Sequence, residues 1–171
     1  MLLSGYLGAV WGLAGVLVLL LSATMRLLPK ALDAFSYPLV WYHWLGLIGV
    51  VLGMAYAEGY KGFQKAFSPR TAARARYLRD HPLFVHVLFA PFFCMGYFHA
   101  TRKRMVTSVS LTLGIVMLII LVSFISQPWR GIIDAGVVVG LVWGIVSLVA
   151  AAVRYLGPGP FLVSPEVPGE R

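Results

Sequence analysis

Residues 81–101 read HPLFVHVLFAPFFCMGYFHAT, and no charged side chain occurs among them. A helix needs about 20 mostly apolar residues to cross a hydrocarbon core of about 30 Å, so the stretch is long enough to cross once. Its prolines argue the other way. Pro82 stands at the start, and Pro91 stands near the middle, where a segment that enters and turns back would break. Proline is also tolerated inside membrane helices, so the stretch by itself leaves both courses open.

Four more uncharged stretches lie around it, at 1–25, 34–57, 105–129 and 135–153. Five such stretches in 171 residues leave no room for a soluble core. The composition agrees: 60% of residues are hydrophobic and 12% charged, against about a quarter charged in soluble domains. A backbone in lipid must satisfy its own hydrogen bonds, which points to helices. The expected fold is therefore an all-α, polytopic integral membrane helix bundle, with residues 1–155 as one transmembrane domain.

Counting basic residues on each side decides between the two courses of 81–101. With five full spans, seven Lys and Arg fall on each side, and the preference of basic loops for the cytoplasm gives no orientation. If the third segment dips in and returns, eleven fall on one side and three on the other, namely Arg26, Lys30 and Arg130. The favoured reading is four full spans plus one re-entrant or interfacial segment, with five full spans as the alternative. The helices are expected at about 3–25, 39–57, 83–100, 106–126 and 132–153. The first 25 residues lack a basic region before Leu2 and run long for a signal-peptide core, so they read as a retained membrane helix.

Residues 58–80 form the polar centre of the chain, a basic amphipathic segment expected on the cytoplasmic side. Tyr60, Phe63 and Phe67 share one face, and Lys61 and Lys65 another, the pattern of a helix lying among headgroups. Ser68-Pro69 is expected to break that helix. Arg70, Arg74, Arg76 and Arg79 follow on no common face and read as a solvated, lipid-facing segment. With Arg102, Lys103 and Arg104 they make the expected contacts to anionic lipid or a partner. The net charge of +8 is assigned to these loops and not to nucleic acid. The tail, 156–171, is rich in Pro and Gly and reads as disordered.

Three helices carry glycines four residues apart: Gly8 and Gly12, Gly49 and Gly53, and Gly136, Gly140 and Gly144. Such spacing makes a flat groove that lets another backbone approach. It fits packing within one bundle and also an interface between chains.

Few residues could carry chemistry. Histidine inside a membrane segment is a site hypothesis by default, and there are four: His43, His81, His86 and His99. Their spacings exclude a metal site on one helix, which needs ligands three or four apart. If 83–100 spans fully, His43 and His99 reach one membrane surface and could ligate a b-type haem. No other cofactor is implied. Arg130 and Asp134, four apart at the start of the last helix, imply an ion pair, as do Glu58 and Lys61. With His86, residues Glu58, Arg130 and Asp134 are the candidates for a polar site within the membrane. Residues 80–84, Asp-His-Pro-Leu-Phe, resemble the Arg-His-Pro-x-Tyr segment of isoprenylcysteine-type membrane methyltransferases. Asp80 stands where that family has arginine and no glutamate-bearing cofactor motif follows, so the activity is not carried over.

The sequence thus leads to a small membrane protein without evident catalytic residues. The expected role is an accessory, assembly or scaffold subunit acting through helix–helix and anionic-lipid contacts. Its expected partners are membrane lipids and another membrane protein or a second copy of itself. The alternatives are an oligomeric small transporter or channel and a haem-binding redox protein.

Overall fold

The computed structural model describes residues 2–157 and 163–168. In chain order the elements are α1 (Leu2–Asp33), a 3-10 turn (Ala34–Ser36), α2 (Trp41–Met54), a π-helical segment (Ala55–Phe67), α3 (Ser68–Asp80), α4 (Phe84–Leu88), α5 (Ala90–Met95), α6 (Arg102–Ser123) and α7 (Trp129–Tyr155). Among the described residues there is no strand. Three helical stretches, Leu3–Ser36, Arg102–Ser123 and Trp129–Tyr155, are long and apolar enough to cross a membrane.

Helix α1 continues past Arg26 because its last turns pack on the start of α7. Ala31 and Ala34 are buried there. Gln127 Nε2 donates to the Lys30 carbonyl (3.2 Å) and to Asp33 Oδ2 (3.0 Å), while Gln127 Oε1 accepts from the Gly131 N–H. At the far end, Gly5 lies against the Arg79 carbonyl, and Arg79 Nη1 donates to the Leu156 carbonyl (2.7 Å). Helices α1 and α7 are therefore antiparallel.

The chain from Trp41 to Asp80 is helical without interruption. Ser68-Pro69 does not break it, and the reason is local. Ser68 keeps helical angles, and its N–H bonds the Phe63 carbonyl, five residues back, in the π pattern. Pro69 follows directly and has no N–H, so the change of hydrogen-bond frame orphans no donor there. This run lies parallel to α7 along its whole length. Gly46 meets Trp129, Val50 meets Gly136, Glu58 meets Gly140, and Phe63 meets Gly144. Further on, Ala72 packs with Ala151 and Tyr155. The basic segment 58–80 is thus not a separate surface helix but a partner of the second half of α7.

No single helix runs through 81–101. Leu83 is extended, α4 has five residues and α5 six, and Phe89 leaves the helical region between them. Pro91 sits in the first turn of α5, where a missing N–H costs nothing. Gly96 ends it with φ +85°, which a side chain disfavours. The two short helices lie in the glycine-lined face of α1. Val87 approaches Gly8, Pro91 approaches Gly15, and Cys94 returns to Gly12. A buried core of Ala9, Leu13, Val16, Leu78, Phe93 and Leu148 joins α1, α3, α5 and α7.

Helix α6 stands apart. Only its first turns are held, by Ser108 Oγ donating to the Met95 carbonyl (2.9 Å) and by the Tyr97–Thr112 hydroxyl pair. From Leu113 to Leu121 its apolar side chains are exposed.

Residues 158–162 and 169–171 of the tail lie outside the described residues. Residues 163–168 do pack. Val163 lies against Ala72, Ala151 and Tyr155, and Val167 is buried in the α1–α3–α5 core.

The glycine faces can be told apart by substitution. A Cβ at Gly136 would stand 2.5 Å from Val50 Cγ1 and 3.2 Å from the Val50 carbonyl oxygen, whereas Gly114 has nothing within 4 Å. Gly136→Val is expected to cost about 1–3 kcal/mol by overpacking. Gly114→Val should stay within about 0.5 kcal/mol of the parent. Thermal unfolding in mild detergent measures both.

Candidate functional site

Four arginines of α3 look alike in sequence, and the fold treats one of them differently. Arg74 is 1% exposed. Its guanidinium lies 4.2 Å over the Phe93 ring and donates to four carbonyls. Nε bonds Phe93 (2.6 Å), Nη1 bonds Pro165 (2.8 Å), and Nη2 bonds both Phe98 (3.0 Å) and His99 (3.1 Å). An arginine side chain is not deprotonated in proteins, so this is a buried cation. The carbonyls come from backbone where helical bonding runs out: the end of α5, whose Phe93 carbonyl also accepts the Gly96 N–H, the turn after Gly96, and segment 163–168. A guanidinium suits this task because its five donors spread in a plane. The expectation of a lipid-facing side chain fails at Arg74 for this reason.

Beside it lies a second basic group. Arg104, in the first turn of α6, is 5% exposed and lies across Gly96. Its Nε is 3.8 Å from Glu166 Oε2, and Arg70 Nε is 3.9 Å from Glu166 Oε1. The Thr101 N–H donates to the Glu166 carbonyl (2.8 Å). Arg102 and Lys103 are exposed. Arg79 bonds Asp80 (2.8 Å), and Arg76 lies 3.9 Å from the same carboxylate.

The histidines regroup. His43 caps α2, its Nδ1 accepting from the Val40 N–H (3.2 Å), and packs on Tyr42 and Trp129. His99 lies near Arg74 and Phe93, toward the other end of α7, a helix of 27 residues and about 40 Å. The haem geometry that needs both is not formed. Instead His99 meets His86, with ring centroids 4.5 Å apart. His86 Nδ1 is buried without a partner, and His99 holds a positive φ of 46°. Helical spacing could not reveal this pair, because the bends at Phe89 and Gly96 create it. No group of three or more metal-ligating side chains occurs among the described residues.

Glu58 is half-buried against Gly140. Lys61 turns over the Tyr56 ring (4.7 Å) and Lys65 over Tyr60 (4.6 Å), so Lys61 does not make the pair expected with Glu58. Gln64 accepts from Trp143 Nε1 (2.8 Å), which fixes this polar face beside the middle of α7. At the opposite end Arg130 Nε lies 4.0 Å from Asp134 Oδ2, the pair their spacing implies. Of the packing glycines, Gly8, Gly12, Gly136, Gly140 and Gly144 touch neighbouring helices, while Gly49 and Gly53 face open space.

No family model matches the chain, and no curated protein or solved structure shows significant similarity to it.

Removing the Arg74 guanidinium takes this donor from the Pro165, Phe98 and His99 carbonyls and leaves Phe93 with the Gly96 N–H. Arg74→Met should cost about 3–5 kcal/mol, since each buried acceptor left unsatisfied costs about 1–3 kcal/mol. Arg74→Lys should recover only part, because an ammonium cannot span the four acceptors. Unfolding midpoints of the purified variants check this order.

Proposed function

We propose that the protein is an accessory or scaffold subunit of a membrane assembly. It works through helix–helix contacts with another membrane protein or with a second copy of itself, and it meets anionic lipid at its basic end. The observation that carries this reading is the polar outer face of the π-helical segment. Lys61, Gln64 and Lys65 are exposed there, beside the middle of α7, which is long and apolar enough to span. Lysine at the centre of a bilayer costs about 2.5–3.5 kcal/mol on insertion scales, and charges at that depth face protein or water. Lipid is a poor cover for this face, and the polar groups of a partner are a good one. The exposed helix α6, held only at its start, supports the same reading.

The topology that accompanies it has four crossing segments: α1, the 41–80 run, α6 and α7. The segment 83–101 dips along α1 and returns. Two observations support this course. Ala90 and Cys94 both meet Gly12, with Pro91 at Gly15 between them, so the chain advances no further along α1 after Pro91. Arg70, Arg74, Arg79, Arg104 and Arg154 also gather toward one end of the bundle, as a cytoplasmic face would have them.

A photo-crosslinking side chain placed at Gln64, and another at Leu118 on α6, tests the proposal in native membranes. A covalent adduct with a protein is expected at Gln64. Adducts with lipid alone at both positions would sink it.

The oligomeric channel reading draws on the same face, with Glu58 beside Gly140 lining a path between copies. Ion flux in proteoliposomes that is unchanged by Glu58→Gln and by Asp134→Asn would remove that reading.

A further inference from the structure

We propose that Arg70 and Arg104 form a phosphate-binding site at the start of α6, and that the chain caps this site itself with the carboxylate of Glu166. The inference rests on the reading that this end of the bundle meets anionic lipid.

Three observations carry it. Arg104 is 5% exposed, and among the described residues its Nε is buried with no hydrogen-bond partner and its one hydrogen bond is a long one, from Nη2 to the Met95 carbonyl (3.4 Å). A buried guanidinium is stable when its donors are satisfied, so this one is built for an acceptor that the chain supplies incompletely. Second, Glu166 fits poorly. Its two oxygens stand 3.8 Å and 3.9 Å from the guanidinium nitrogens, whereas charge-assisted bonds close to about 2.7–2.9 Å. The carboxylate shares two cations and bonds neither. A phosphoryl group has more oxygens, set in a tetrahedron, and can reach both forks at once. Third, Glu166 is held at φ 53°, a conformation uncommon outside glycine, so the segment bends to bring this carboxylate in.

Access and field agree. The side chains of Arg70 and Glu166 are about a third exposed, so the site opens outward. The first turn of α6 adds the positive end of a 22-residue helix, and the buried charge of Arg74 lies behind. One carboxylate thus faces more than one cation, and a dianionic or monoanionic phosphate replaces it with a better electrostatic match. Gly96 is needed for the arrangement, because a Cβ there would stand 2.9 Å from Arg104 Nε.

The test uses the full chain purified in mild detergent, with phosphatidic acid and diacylglycerol as lipid probes and inorganic phosphate as the free-ion probe. Native mass spectrometry and thermal-shift titration read the binding. Phosphatidic acid is expected to bind and diacylglycerol not. Glu166→Gln should tighten phosphatidic acid about five- to tenfold, since a competing charge is removed. Arg70→Gln, at a position about a third exposed, should weaken it by a similar factor. Stabilisation by inorganic phosphate that competes with the lipid assigns the site to free phosphate, and stabilisation by phosphatidic acid alone assigns it to a lipid headgroup. Either result supports the proposal. Equal binding of phosphatidic acid and diacylglycerol overturns it, and so does an affinity that neither Glu166→Gln nor Arg70→Gln moves. If the site fails while the Gln64 adduct still forms, the subunit reading stands and the phosphate site alone is lost.

Discussion

A cation with no side-chain anion in hydrogen-bonding contact among the described residues holds this structure together. The Arg74 guanidinium is sealed from water and bonded to four main-chain oxygens. Irregular backbone at an apolar depth is tolerated only where something other than water satisfies it. The chain between Phe89 and Thr101 leaves the helical ladder twice, so its carbonyls need donors from elsewhere. Arg74 supplies them from a regular helix whose neighbouring Ala72, Ala73 and Ala75 are buried. The same side chain reaches Pro165, so the 163–168 segment and the 81–101 segment are ordered by one group. Through Thr101 and Glu166 the arrangement extends to the start of α6.

The all-helical fold and its helices long and apolar enough to cross a membrane were legible from the uncharged stretches, because the bilayer imposes length and polarity on single segments. The internal breaks of 81–101 were half legible. Pro91 flagged the middle of the stretch, while the turn at Gly96 had no signal beyond the glycine itself. Other features were illegible for a common reason: they are set by groups distant in sequence. Nothing local separates Arg74 from Arg70, Arg76 and Arg79, since burial depends on α5 and on residues 163–168. The His86–His99 contact arises from two bends, and no helical spacing encodes it. Ser68-Pro69 is a different case: it has the composition of a helix start, and the local change to π-type bonding lets the helix pass through it.

The glycine patterns show how far a short motif can be taken. Gly136, Gly140 and Gly144 receive Val50, Glu58 and Phe63 of the same chain, so the most regular repeat is used inside the bundle. Gly49 and Gly53 have the same spacing and meet nothing within 4 Å. Spacing tells that a backbone can come close. It does not tell which backbone, or whether one does.

Segment 163–168 also sets a schedule. A chain emerges from its amino end, and local structure forms as it does. The donors of Arg74 meet Phe93, Phe98 and His99 early, but Pro165 is made about ninety residues after Arg74. Until then one arm of the guanidinium has no acceptor, Arg104 has no carboxylate beside it, and the space that Val167 fills in the core stands open. The helices can therefore insert in order, while the junction between them closes last. During that interval the newborn protein presents a bare cationic pocket to whatever phosphate-bearing molecules surround it.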